Sequence, residues 1–223
     1  MAVNGPATAQ SGIGRRRQAA KGGKNNAEYQ AKRRELIQAG ATVFKEKGYE
    51  AATLNDIAER VGVDRASLYY YVGGKEELLH EAVRGGVAEN LAEVERILKL
   101  DESPEEKLRL IVARLLSSYE ESYPAMYVYI QEDMSKVASE DSEWAQEMTR
   151  QTRRFENATL KVIKQAQEEG RFRTDISPEL AANALFGMVN WTHRWFKPGK
   201  KLNAEQIIDA FWSIFFEGMR ASP

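Results

Sequence analysis

The seven residues Arg65-Ala66-Ser67-Leu68-Tyr69-Tyr70-Tyr71 carry the most specific chemistry in this chain. An arginine presents a planar fork of donors that matches the paired acceptors on a guanine edge. Alanine and serine beside it are small enough to let a helix approach base edges closely. Tyrosine hydroxyls donate to phosphate oxygens without the length and disorder of lysine. Three consecutive tyrosines cannot all face one core, so some are exposed, which is costly unless they meet a partner. These types in this order point to contact with nucleic acid.

The flanking residues supply the elements that would hold such a surface. Thr53 and Asp56 have the spacing of a cap pair, and Leu54, Ile57, Ala58 and Val61 fall on one face of a short helix. Gly62 ends that helix at a position that readily takes positive φ. Asp64 caps the next helix, with Val63 and Leu68 spaced as a hydrophobic staple. Two short capped helices around a glycine turn are what a helix-turn-helix needs. An αα-corner in an ordinary bundle shares that geometry, and the outward Arg, Ser and Tyr residues weigh against it.

The rest of the chain reads as helix. Regularity begins near Tyr29, where Leu36, Ile37, Val43 and Phe44 recur at helical spacing until Gly48. A helix from Lys75 carries Leu79, Val83, Val87, Leu91, Val94 and Leu98 as an apolar stripe. Capping signals at Ser103-Pro104-Glu105-Glu106, Ser177-Pro178 and Asn203 with Gln206 open further helices, and Pro124 begins another. A long polar-faced helix runs from about Asp141 to Glu169 and stops at Gly170, and no stretch alternates like a strand. The expected fold is all-α with about nine helices. The expected division is a disordered basic arm over 1–28, a three-helix helix-turn-helix domain over 29–75 and a second helical domain over 76–223.

Net charge is only −1, but its distribution is uneven: residues 1–34 carry eight basic side chains and one acidic one, Glu28. Arg15, Arg16 and Arg17 in this arm suit contact with a polyanion, or a merely solubilising tail. There is no cysteine, no apolar run near the ~20 residues a membrane span needs, and no signal-peptide stretch. A cytoplasmic protein without membrane contact is expected. Enzyme motifs are missing as well: there is no Gly-x-Ser-x-Gly elbow, phosphate loop or dinucleotide fingerprint. His80-Glu81 is followed by Arg84 where a zinc motif needs its second histidine, and His193 has no evident metal partner. No enzyme, cofactor or metal is expected.

The run Phe44…Gly48-Tyr49…Thr53-Leu54-Asn55-Asp56-Ile57-Ala58…Val61-Gly62-Val63…Ser67-Leu68-Tyr69-Tyr70-Tyr71-Val72…Lys75-Glu76-Glu77-Leu78-Leu79 resembles the N-terminal domain of the TetR family of transcriptional regulators. The resemblance implies a homodimer on a pseudo-palindromic double-stranded operator, with a recognition helix from each copy in the major groove. It places Arg65, Ala66 and Ser67 near bases, and Thr53, Tyr69, Tyr70, Tyr71 and Lys75 near phosphates. Val72 and Gly73-Gly74 depart from the family pattern, where phenylalanine and a Ser or Thr cap are usual. Both departures are expected to loosen the joint before Lys75.

The last two helices, about Pro178–Phe196 and Ala204–Arg220, are apolar around much of their circumference. They suit a four-helix dimer interface or a deep single-chain core. Gly170-Arg171-Phe172 and Asn190 to Gly199 are similar to members that control fatty-acid or sterol degradation. That similarity implies an acyl-CoA thioester as effector. Arg194, Lys197, Lys200 and Lys201 would then face its phosphates, and Tyr119, Tyr123, Tyr127, Trp191 and Trp195 an apolar channel. The same residues also suit a solvated lysine loop and tryptophans packed in an interface. An all-α lipid-binding carrier without a DNA-binding role is the alternative from another class.

The arm gives a first prediction. Deleting residues 1–24 lowers DNA affinity and leaves the folded dimer intact. It also flattens the salt dependence, by up to roughly 0.9 log units for every phosphate the arm neutralises. Titrations at several salt concentrations check this, and an unchanged slope would reduce the arm to an appendage.

Overall fold

The computed structural model describes residues 26–132 and 143–221, and within them every regular element is helical. In chain order these are α1 (Asn26–Lys47), α2 (Leu54–Val61), α3 (Arg65–Tyr71), α4 (Lys75–Ile97), α5 (Pro104–Glu121), α6 (Ala125–Gln131), α7 (Glu143–Glu168), α8 (Pro178–Trp191) and α9 (Ala204–Met219). A 3-10 turn, Thr192–Arg194, follows α8. The chain divides into two compact units between Glu81 and Ala82, a boundary that falls inside α4. Arg15, Arg16 and Arg17 lie outside the described residues.

In the first unit, α1 starts at Asn26, three residues before the apolar pattern becomes visible; Glu28 in its first turn suits the positive end of the helix dipole. Tyr29, Leu36, Val43 and Phe44 line its buried side, with Ile57, Leu68 and Leu78 from the other helices. Gly48, at φ 83°, turns the chain out of α1. Thr53 caps α2 with a full capping box to Asp56, and Gly62 ends it at φ 70° in the left-handed region. Asp64 caps α3 by accepting the Ser67 N–H.

The joint before α4 is firmer than its glycines suggest. Val72 is fully buried, and the Gly73 N–H donates to Glu77 Oε2 at 2.8 Å. Arg33 reaches from α1 to Glu81 at 2.8 Å and Glu77 at 3.0 Å. All three side chains are largely shielded from water, so this double pair is screened less than a surface bridge.

In the second unit, α5 packs on α7 and α9, and α7 packs on α8. Leu108, Ile111, Val112 and Leu116 of α5 are buried with Val162, Ile163, Leu185 and Phe215. The segment after α7 ties back to the end of α9, with Arg173 N–H donating to the Met219 carbonyl at 2.8 Å. The continuous helix expected to reach Phe196 stops instead at Trp191. There Thr192 Oγ1 donates to the Val189 carbonyl and tightens the chain into the 3-10 turn. No helix among the described residues is long and apolar enough to cross a membrane.

Two glycines separate backbone strain from helix propensity. Gly62→Ala forces a Cβ into the left-handed region and destabilises by about 1–2 kcal/mol. Gly85 lies inside α4 with open space around it, so Gly85→Ala stabilises by about 0.8–1.0 kcal/mol. Denaturant unfolding of both variants should show these opposite signs.

Candidate DNA-binding surface and ligand cavity

Helix α3 is only seven residues long, and Leu68, fully buried, is its anchor. Arg65 and Ala66 are exposed, and Ser67 is half-buried. The Arg65 guanidinium lies back along the helix, donating to the Tyr69 hydroxyl at 3.2 Å. The Ser67 hydroxyl donates to Asp64 Oδ2 at 2.6 Å, and this bond holds the Asp64 carboxyl below its usual range. Ser67 therefore faces outward chiefly as an acceptor.

The residues expected at phosphates divide by environment. Tyr69 is half-buried beside Arg65. Tyr70 and Tyr71 pack their rings on buried Tyr29, at centroid distances of 5.6 and 5.2 Å. The need to expose surplus tyrosines is thus met in part by a ring cluster, which the residue pattern of α3 alone does not reveal. Tyr29 was legible in principle, because it repeats with Leu36 and Val43 on one helix face.

Thr53 donates both its N–H and its hydroxyl to Asp56 Oδ2, each at 2.8 Å. Lys75 is no loose surface cation: its ammonium donates to the carbonyls of Tyr49 and Glu50 at 2.9 and 3.2 Å and lies over the Tyr49 ring. It braces the segment leading into α2.

The second unit contains a cavity of about 110 Å³. Val87, Leu115, Met126, Ile130, Phe155 and Phe186 form its apolar walls. Its polar side is ordered by hydrogen bonds: Tyr119 donates to Asn190 Oδ1 at 2.6 Å, and Tyr129 pairs with Thr152 at 3.3 Å. Burial pushes both tyrosine hydroxyls up, so they stay protonated. Asn90 is held by Arg114 Nε at 2.7 Å and donates to Ser118 Oγ at 2.8 Å. Gln151 and Glu156 complete the lining.

Of the six residues expected at a ligand, only Tyr119 lines this cavity. Tyr127 is buried in ring contact with Tyr119 and Tyr123, behind the wall, and Tyr123 is exposed. The turn of helix α8 sends Trp191 outward, 59% exposed, with Arg194 stacked 5.2 Å above its ring, and Trp195 is exposed as well. His193 Nδ1 lies 2.7 Å from the Asn190 carbonyl, a helix-end contact. Asn90, Gln151, Thr152 and Asn190 were not anticipated; a polar residue inside an apolar helical stripe, as Asn90 is, was the available signal.

Leu180, Ala184, Gly187 and Trp191 instead make an exposed, mostly apolar stripe along α8, and Ala210, Ile214 and Gly218 make another along α9. Leu180 and Ile214 are 61% and 64% exposed. Large apolar side chains grouped this way mark an association surface.

A capped helix-turn-helix in one unit and a partly polar cavity in the other define a DNA-binding regulator with a site for a small molecule. Residues 36–82 match the bacterial regulatory proteins of the tetR family, and residues 101–219 match the tetracyclin repressor-like C-terminal domain. The chain belongs to the TetR family of transcriptional regulators. It is 28% identical over 192 residues to the HTH-type transcriptional repressor KstR2 of Rhodococcus jostii, covering 86% of this chain and 92% of that one. The solved structure of the ketosteroid transcriptional regulator KstR2 of Mycobacterium tuberculosis superposes with a TM-score of 0.78 at 27% identity, covering 86% and 96%. The same fold occurs in AibR in complex with isovaleryl coenzyme A and operator DNA, with a TM-score of 0.67 at 23% identity over 82% and 97%. As a member of this family the chain is a dimeric, operator-binding regulator that responds to a small-molecule effector, and the carrier alternative is not favoured.

The α2 cap offers a pH test. Hydrogen bonds from Lys47 and Thr53 hold the Asp56 carboxyl at about 2, below its ordinary value of 3.8. A folded value below the unfolded one means that Asp56 contributes stability above about 3.8 and loses it as pH falls through about 2. Carboxyl-carbon NMR should place its midpoint near 2; a midpoint near 3.8 would mean the cap bonds are not formed in solution.

Proposed function

We propose that this chain is a cytoplasmic repressor of a lipid- or sterol-degradation operon, released from its operator by a CoA thioester. The observation that carries the DNA half is α3: a capped helix fixed by one buried leucine, with Arg65 and Ala66 exposed in its first turn. In this reading residues 29–75 bind DNA and residues 76–223 bind effector and partner subunit. Arg65 reads a base, Ala66 permits close approach, and Ser67 accepts from a base or water. Tyr69 donates to phosphate. Tyr70 and Tyr71 do so from the edge of the Tyr29 cluster. Thr53 and Lys75 act near phosphates mainly by fixing the start of α2. Arg15, Arg16 and Arg17 follow the DNA alongside.

The effector half is supported by the cavity and by two likenesses: the KstR2 proteins are ketosteroid regulators by name, and AibR holds isovaleryl coenzyme A. We assign the acyl group to the cavity beside Tyr119. The exposed stripes of α8 and α9, with Trp191 and Trp195, form the dimer face. Arg194 is then an interface residue rather than a phosphate ligand.

Selection of binding sites from random duplexes tests the DNA half. Arg65→Ala should relax preference at one base position in each half-site, by roughly 1–3 kcal/mol. Tyr69→Phe should weaken all sequences alike. If Arg65→Ala leaves both affinity and preference unchanged, α3 is not the recognition helix.

A further inference from the structure

The cavity lining also restricts what can enter it. Among the described residues lining it there is no lysine, arginine or histidine, and one carboxylate, Glu156, is present. Arg114 stands behind the lining residue Asn90, with its Nε on Asn90 Oδ1 at 2.7 Å and its Nη2 paired with Glu121 at 3.2 Å. A carboxylate pressed against the apolar walls would therefore meet no lining cation, which disfavours the charged form. The six apolar walls equally disfavour an ammonium group, because Glu156 is exposed and its charge remains solvated. The part of a ligand that rests against the apolar walls is therefore neutral.

Its size is limited too. An apolar cavity of roughly 150 Å³ accommodates benzene. The space here, about 110 Å³ and open to solvent on one side, takes up a group of five or six heavy atoms, with the rest of a larger ligand reaching out of it.

One polar atom supplies direction. Gln151 lines the cavity, and its Oε1 is buried with no hydrogen-bond partner among the described residues. The amide cannot simply be reversed. Its Nε2 donates to Glu147 Oε1 at 2.8 Å, and a flip would set two acceptors against each other. Of the other polar groups on the wall, Tyr119 is paired with Asn190 and Tyr129 with Thr152, Asn90 is held between Arg114 and Ser118, and Glu156 is exposed. Gln151 Oε1 is thus a buried acceptor awaiting a donor, and a buried polar atom left unsatisfied is unfavourable.

We propose that the cavity receives a compact, uncharged hydrocarbon group bearing a hydroxyl, whose proton is donated to Gln151 Oε1. Any acid or thioester end of the effector stays outside the cavity. This inference rests on the reading of the cavity as the effector site, and it narrows that site from acyl groups in general to hydroxylated ones.

Small probes without CoA test it. Cyclopentanol, cyclopentanone, cyclopentanecarboxylate and cyclopentylamine, each at millimolar concentration, are titrated into the full-length protein by ligand-observed NMR. The alcohol should bind up to about tenfold more tightly than the ketone, the span one hydrogen bond supplies. The carboxylate and the amine should bind more weakly still. In Gln151→Leu the alcohol should fall to the level of the ketone, whose affinity should hold. The preference in the unmodified protein is read without any variant, so a poorly folding Gln151→Leu does not remove the test. Equal binding of alcohol and ketone, stronger binding of the acid or amine, survival of the preference in folded Gln151→Leu, or no binding of any probe would each overturn the proposal. An intact alcohol preference in a protein that no CoA thioester releases from DNA would fault only the effector class.

Discussion

Helices of eight and seven residues do not hold themselves together in water, and the DNA-binding surface consists of two of them. Everything about that surface depends on how their ends are closed. The first N–H groups of α2 and α3 find Thr53 and Asp64 instead of water, and Gly62 between the helices takes a backbone conformation that other residues resist. Ile57 and Leu68 then fix both helices to α1 through two fully buried side chains. This economy leaves the outer side of α3 free of any duty in folding. Arg65 and Ala66 can be chosen for what they contact because nothing in the core depends on them.

Polar groups play a different part in the second unit. Asn90, Ser118, Tyr119 and Asn190 lie where a helical protein would ordinarily place leucine or valine. Their hydrogen bonds consume most of their polar capacity, from Arg114 through Asn90 to Ser118, and from Tyr119 to Asn190. Paired side chains of this kind keep fixed positions and resist collapse into the space between the helices, so an opening persists that apolar residues would fill. Val87 and Asn90 on α4 belong to this wall, and the first turns of the same helix carry Glu77 and Glu81, held by Arg33. One continuous element thus includes residues of the cavity wall and residues that anchor the DNA-binding unit.

The sequence was most readable where structure is local. The caps at Thr53, Asp64, Ser177 and Asn203 and the stop at Gly62 each depend on residues within one helical turn, and their side chains are found where spacing places them. The cavity was hardly readable, because it takes one or two residues per turn from α4, α5, α6, α7 and α8, and no stretch of sequence holds that set together. Trp191, Arg194 and Trp195, expected at a ligand, lie outside the cavity lining for a definite reason. A helix apolar around its circumference gives no sign of which side faces a cavity and which a partner, and the chain tightens just after Trp191, so register alone decides. Lys75 and Tyr70, expected near phosphates, also make long-range contacts to Tyr49 and Tyr29 that no local pattern shows.

Occupation of the cavity and occupation of operator DNA are expected to oppose each other in one dimeric protein. The most direct measurement follows the polarisation of a labelled operator duplex bound to the full-length protein as an acyl-CoA thioester or its free acid is added, with thioester binding read by calorimetry in the same buffer. The thioester should release the duplex over the concentration range in which it binds, while the free acid leaves it bound. An operator that stays bound when calorimetry shows the thioester site to be full would contradict this opposition.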